Sequence, residues 1–233
     1  MKHQETMLNT LREENELSNF TQAEIGDDHM YTGIKTPMKS DAFLLSDEEK
    51  KERIALLFGE IMNVMGLDLT DDSLQGTPGR VAKMYIDEIF SGLNPKNKPT
   101  IALFDNKYQY NQMLVEKNIT FYSNCEHHFV PIIGKAHVAY ISSGKVIGLS
   151  KLNRIVQYYA KRPQVQERLT NQIALDLKQI LATEDIAVII DAKHLCVSSR
   201  GIQDDTSSTI TAYYGGKFNT PSKIAELQNY LNS

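Results

Sequence analysis

Met113-Leu114-Val115-Glu116-Lys117-Asn118-Ile119-Thr120-Phe121 is the stretch on which the fold turns. Met113, Val115, Ile119 and Phe121 alternate with Glu116, Asn118 and Thr120, a period of two expected of a strand half-buried in a sheet. Downstream, Ala136, Val138 and Tyr140 alternate again, and Ser142-Ser143-Gly144-Lys145 offers a turn into Val146-Ile147. Two further strands are expected, from Ala187 to Val197 and from Ser208 to Tyr214 before Gly215-Gly216.

Helical segments surround these strands. Ser46-Asp47-Glu48-Glu49 fits a capping box, and Ile54, Leu57, Phe58, Ile61 and Met65 then trace one apolar face as far as Gly66. Thr77-Pro78 starts a second helix, with proline at the first helical position, running through Val81, Tyr85, Ile86 and Ile89 to Gly92. After Ser150, Leu152, Ile155, Val156 and Tyr159 share a face until Pro163; Val165, Leu169, Ile173, Leu177 and Ile180 carry the next helix. Thr220-Pro221 begins a last short one. The order predicts an α+β fold: a four-stranded antiparallel sheet with helices on one face. Its open edges invite closure by oligomerisation. Residues 1–45 are polar and weakly periodic, an N-terminal extension with a short helix expected across Leu8 to Leu17; residues 46–233 form the body.

The chain has 233 residues, 41% of them hydrophobic, enough for a sizeable core and against wholesale disorder. A formal charge of −4 argues against nucleic-acid binding through bulk basicity and leaves room for a local basic pocket. No apolar run approaches the roughly 18 residues of a membrane span. The start, Met1-Lys2-His3-Gln4-Glu5-Thr6, lacks the apolar core of a signal peptide, so a cytoplasmic location is expected. In a reducing compartment the two cysteines, Cys125 and Cys196, are better suited to thiolate chemistry than to a disulfide.

Ser123-Asn124-Cys125-Glu126-His127-His128-Phe129 is the chemically densest segment. Cys125 and His128 have the Cys-x-x-His spacing that lets two soft ligands reach one zinc ion, and Cys196 is a third if the strand ends are neighbours. Three protein ligands leave a fourth position for water, whose pKa a catalytic zinc lowers to about 7. His127 and His194 flank the ligands and suit proton transfer. A buried cysteine is usually only a small hydrophobe, and Cys-x-x-His often arises by chance. What favours chemistry is that both cysteines and three of the six histidines fall in two short segments. His137, on an alternating strand, reads as a packing or surface residue; His3 and His29 carry no signal. Arg80, Lys83, Lys151, Arg154 and Arg200 sit near element ends, and Ser150 precedes a helix; together they hint at an anionic substrate.

Four motifs, the Cys125 segment, Gly148-Leu149-Ser150-Lys151-Leu152-Asn153-Arg154, Arg162-Pro163-Gln164-Val165-Gln166-Glu167-Arg168-Leu169-Thr170 and His194-Leu195-Cys196-Val197-Ser198-Ser199-Arg200-Gly201-Ile202, resemble GTP cyclohydrolase I in order and spacing. The resemblance runs from about Ser46 to the C-terminus. It implies a tunnelling fold, whose small antiparallel sheets join into a barrel, and a homodecamer of two stacked pentamers with sites at subunit interfaces. By that resemblance Cys125, His128 and Cys196 are zinc ligands. His194 protonates N7 of the purine and makes C8 electrophilic, and His127 supports proton transfer at the imidazole and ribose. Glu167, with Gln166 beside it, pairs with the guanine edge, whose adjacent N1–H and N2–H match a carboxylate. Ser150 contacts the ribose; Lys151, Arg154, Arg200 and, from a neighbouring subunit, Arg80 and Lys83 hold the triphosphate.

The implied reaction opens the five-membered ring of GTP, releases C8 as formate, and recloses the ring after Amadori rearrangement. The product is 7,8-dihydroneopterin triphosphate, the first intermediate of folate and pterin biosynthesis, with Zn2+ the only cofactor. Gly79 departs from the pattern, standing where relatives are expected to carry a longer polar residue. Three other readings compete. A structural zinc module needs a fourth protein ligand, for which His127 or His194 could serve. A pyruvoyl-tetrahydropterin synthase would carry an all-histidine site, unlike Cys125 and Cys196. A redox dithiol lacks its Cys-x-x-Cys spacing.

Overall fold

Ser46 opens the first helix, α1 (Asp47–Val64), through the expected reciprocal cap. Its hydroxyl accepts from the Glu49 N–H, and the Glu49 carboxylate accepts from the Ser46 N–H at 2.8 Å. The helix stops at Met65, where Gly66 takes a left-handed conformation, φ +80°, that suits glycine. This computed structural model describes residues 33–233, and Gly33–Ser233 makes one compact unit. The helix expected across Leu8 to Leu17 lies outside the described residues.

Helix α2 (Thr77–Lys83) has Pro78 in its first turn, but Gly76 is its N-cap residue. The Thr77 hydroxyl instead accepts from Arg80 Nη2 at 2.8 Å. The α-helix also does not run on to Gly92. It loosens into a π turn over Met84–Ile89 and tightens into a 3-10 turn over Ser91–Leu93. That change of pitch accompanies an aromatic cluster: Tyr85 and Phe90 lie 6.4 and 5.0 Å from the Phe129 ring, centroid to centroid.

The remaining elements are β1 (Leu103–Asp105), β2 (Met113–Cys125), β3 (Pro131–Ile141), β4 (Lys145–Ile147), α3 (Leu149–Ala160), β5 (Pro163–Gln164), α4 (Gln166–Leu181), β6 (Ile186–His194), α5 (Leu195–Ser198), β7 (Thr209–Tyr214) and α6 (Pro221–Asn232). The main sheet has the order β5-β2-β3-β6-β7; β1 and β4 pair separately. The expected antiparallel four, β2, β3, β6 and β7, are joined by a parallel two-residue strand, β5, beside Asn124 and Cys125.

Strand β2 does not keep one apolar face. Its pairing with β3 slips between Glu116 and Ile119, where Asn118 has φ +62° and its N–H meets His137 Nδ1 at 3.3 Å. One extra residue reverses the alternation. Ile119 and Phe121 therefore pack under α3 and α4, whereas Met113 and Val115 face the opposite side.

The larger core joins Phe121, Val138, Tyr140, Val188 and Ile190 to Leu152, Ile155, Val156, Leu169, Ile173 and Leu177 of the two helices. Burying each such aliphatic side chain contributes about 1.5–3 kcal/mol. Helices are not confined to that face. Helix α6 covers one end of the other, where Leu227 packs with Met113, Ala139, Ala187 and Phe218. Next to it Tyr122, Ile133 and Ile210 stay open to solvent. On α1, Leu57, Ile61 and Met65 of the expected apolar face are likewise exposed, while Met62 is buried.

Candidate active site

The chemistry-bearing residues gather where β2, β5 and β6 end. Cys125 closes β2: its N–H donates to Val130 O and its carbonyl accepts from Phe129 N–H, both at 2.8 Å. That closed turn puts His128 three residues along from Cys125, the spacing at which side chains lie on one side of a helical turn. Glu126 N–H donates to Gln164 O at 3.0 Å, tying the turn to β5. Across the sheet His194, the last residue of β6, sits opposite Ile132 of β3.

Cys196 is not inside a strand as expected. The strand ends at His194 and the chain turns into α5, with Ser199 N–H and Oγ both donating to Leu195 O, at 2.9 and 2.6 Å. The turn brings the Cys196 thiol against that of Cys125. Burial pushes the Cys196 thiol up, the neighbouring Cys125 adds to the rise, and Arg200 opposes it.

His127 Nδ1 lies 3.6 Å from Cys125 Sγ. The His128 ring faces Arg200 instead, Nε2 to Nη1 at 3.1 Å, so Nε2 accepts from the guanidinium. Among the described residues no three His, Cys, Asp or Glu side chains form a ready-made metal cage. His194 is held by Gln166, Nε2 to Oε1 at 2.7 Å. Burial pushes the His194 imidazole down, partly countered by Glu167, which is exposed in the first turn of α4. Gln166 itself is 2% exposed, and its amide nitrogen meets protein acceptors.

Sequence reading missed an ion pair that braces the turn. Arg168, buried in α4, donates through both terminal nitrogens to both carboxylate oxygens of Glu126, the second at 3.2 Å. Its Nε also donates to Gly33 O at 2.9 Å. The only signal for it was a charged residue on an otherwise apolar helix face.

Part of the expected basic set lies elsewhere. Helix α3 carries Ser150, Lys151 and Arg154, and its Asn153 side chain donates to Glu116 at 3.2 Å while Gln157 donates to Thr120 O at 2.6 Å. Glu116 and Cys125 are nine positions apart on one strand, a separation of roughly 30 Å at about 3.3 Å per residue. Ser150 and Lys151 therefore stand at the opposite end of the sheet. Arg80 is engaged locally with Ser73 O and Thr77 Oγ1, and Lys83 is exposed at the end of α2. Of the expected phosphate-binding cations, Arg200 alone joins the thiol end through a described contact.

Paired thiols, imidazoles, a carboxylate and a guanidinium at one end of an α+β sheet define a site for polar chemistry on a small anionic molecule. Comparison with known proteins narrows this class. The family model for GTP cyclohydrolase I matches residues 54–231. A protein called GTP cyclohydrolase 1 from Flavobacterium johnsoniae is 61% identical over 208 residues, covering 89% of this chain and 93% of the relative. Proteins of the same name from Vibrio parahaemolyticus and Aeromonas salmonicida are 54% and 53% identical over 200 and 188 residues, covering 85% and 81% of this chain and 91% and 85% of theirs. The chain belongs to the GTP cyclohydrolase I family.

Proposed function

We propose that this chain converts GTP and water to 7,8-dihydroneopterin triphosphate and formate, with residues 46–233 as the catalytic domain. The observation that carries the proposal is the meeting of Cys125 and Cys196 beside His127, with His194 and Glu167 at the same end of the sheet.

The donor set fits a soft divalent ion. Two thiols are already adjacent, and His128 shares the closed turn of Cys125, so a rotamer change away from Arg200 would complete three ligands. Cys125, Cys196 and His128 would hold Zn2+, which supplies Lewis-acid activation of water when bound. Glu167 accepts from the N1–H and N2–H of guanine and orients the ring. His194 gives a proton to N7, drawing electrons from C8, while His127 moves protons during ring opening and at the ribose. Ser150 meets the ribose, and Lys151, Arg154, Arg200, Arg80 and Lys83 hold the triphosphate.

The roughly 30 Å between the thiol end and the Ser150 end is longer than a nucleoside triphosphate. One GTP would therefore be shared by two copies of the chain. Two further features favour association into the tunnelling barrel and the decamer of stacked pentamers. Strand β7 ends the sheet as an open edge, and Leu57, Ile61, Val64 and Met65 expose an apolar flank on α1. No helix among the described residues is long and apolar enough to cross a membrane, consistent with the proposed cytoplasmic location.

Incubating the zinc-loaded protein with GTP should release formate and give a pterin that fluoresces after oxidation. Absence of both products with zinc present would overturn the proposal.

A further inference from the structure

We infer that Gln166 is the positioning residue for His194: it fixes the resting imidazole as its Nε2–H tautomer and leaves Nδ1 as the nitrogen that takes up a proton to form the imidazolium and then hands that proton to substrate. The inference rests on the role of His194 given under the proposed function, and it gives Gln166 a task other than contact with the guanine edge.

The side-chain amide of Gln166 is set by its surroundings. Its Nε2 lies 3.1 Å from Ile190 O, 2.8 Å from Thr209 O and 3.2 Å from Thr211 Oγ1. The first two are backbone carbonyls, which only accept. Flipping the amide would set its oxygen against both of them. The third partner also accepts. Thr170 spends its proton on Gln166 O at 2.9 Å, so the 2.7 Å contact between Thr170 and Thr211 must use the Thr211 proton. Two amide hydrogens are thus shared among three acceptors, and none remains for a ligand.

With the nitrogen so committed, Oε1 is the atom facing His194 Nε2 at 2.7 Å. An amide oxygen can only accept, so Nε2 must carry a hydrogen. The tautomer follows from fixed backbone acceptors rather than from a choice made at the ring. A neutral acceptor also suits the place. Glutamate there would set a buried carboxylate against two carbonyl oxygens. The chain of contacts runs from the β6 and β7 backbone through Gln166, only 2% exposed, to a half-buried imidazole. It orients the ring before any substrate arrives.

Solid-state 15N NMR of the full-length, zinc-loaded protein with labelled histidine tests this, the His194 signals being assigned by their loss in His194→Gln. We expect a single Nε2–H tautomer in the unmodified protein. In Gln166→Met we expect mixed tautomers and a kcat for GTP about 10- to 100-fold lower, with KM within about threefold. Leu227→Ala, a buried change under α6, is the stability control and should keep both the tautomer and kcat. An Nδ1–H tautomer in the unmodified protein would overturn the inference, even if Gln166→Met does not fold. So would a raised KM at unchanged kcat in Gln166→Met, which would place Gln166 on the base. The tautomer is read without turnover, so failure to convert GTP would sink the proposed function separately.

Discussion

The two ends of the main sheet are built on opposite principles. At the Cys125 end three of the functional groups are braced: Gln166 holds His194, Arg168 holds Glu126, and Gln164 O holds the turn. At the Ser150 end, the side chains of Lys151 and Arg154 make no ion pair or hydrogen bond with another described residue, although the Lys151 N–H donates to Gly148 O at 2.8 Å. Groups that move protons or hold a metal need fixed geometry, because misplacement by about 1 Å can cost a hundredfold in rate. Groups that hold a triphosphate act as charges and tolerate flexible stems. One end is preorganised; the other carries cationic side chains that, by the proposal above, meet the triphosphate together with a second copy.

The sharpest way to break this comparison is to disable each end in turn. Cys125→Ala and Cys196→Ala should each lose zinc, by metal analysis, and at least about a thousandfold in activity. Mixing Cys125→Ala chains with Lys151→Ala,Arg154→Ala chains before assembly should restore activity. If every site draws one half from each of two copies, random 1:1 mixing leaves about a quarter of the sites intact. Assayed at GTP well below the KM of the Lys151→Ala,Arg154→Ala parent, mixed oligomers no more active than their parents would show that the ends do not cooperate.

Arg168→Met should be the costliest single change for stability at the braced end. It strands the mostly buried Glu126 carboxylate, and breaking such a pair costs about 3 kcal/mol. A loss below about 1 kcal/mol in urea unfolding would mean the turn does not depend on that brace. At the other end Lys151→Ala should raise the KM for GTP about tenfold and leave kcat within about twofold, with unfolding midpoints unchanged. A large fall in Tm there would erase the contrast.

The smallest expected effect lies midway along the sheet, at His137. Burial chiefly holds its imidazole below the ordinary histidine value, Lys117 adds to this, and Asp191 opposes it. Because the folded value is the lower one, the unfolded chain binds the proton first. Stability is therefore full above about pH 6.5 and declines as pH falls through that value. His137→Gln keeps an acceptor for the Asn118 N–H and should flatten the Tm profile between pH 7 and 5. An unchanged profile would assign the acid sensitivity to other groups.

Much of this was legible in the chain. The capping box at Ser46, the four antiparallel strands and the helices over Leu152–Tyr159 and Leu169–Ile180 follow from local pattern and cap chemistry, and these appear in the structure. The misreadings have two causes: some depended on a contact distant in sequence, others on a local turn that hydrophobic pattern does not reveal. A strict period of two put Met113 and Phe121 on one face, but an added residue in β2 placed them on two. Cys196 looked like part of a strand because hydrophobic runs do not show where a chain turns. Gln166 and Arg168 stood in a quoted motif, yet their partners at Thr209 and Glu126 are 43 and 42 positions away.

The sequence by itself determined which chemistry is possible. Two cysteines and three histidines in two short segments, with a carboxylate and a basic set, are a matter of composition and spacing, which every copy of the chain carries unfolded or folded. Only the tertiary structure decided which of those groups meet. Strand order and the turn at Leu195 bring the two thiols together, and the length of β2 separates them from Ser150. Local propensity acts over a few residues, whereas the distance between two side chains is fixed by how strands pair, and that pairing is settled by burial of the whole sheet.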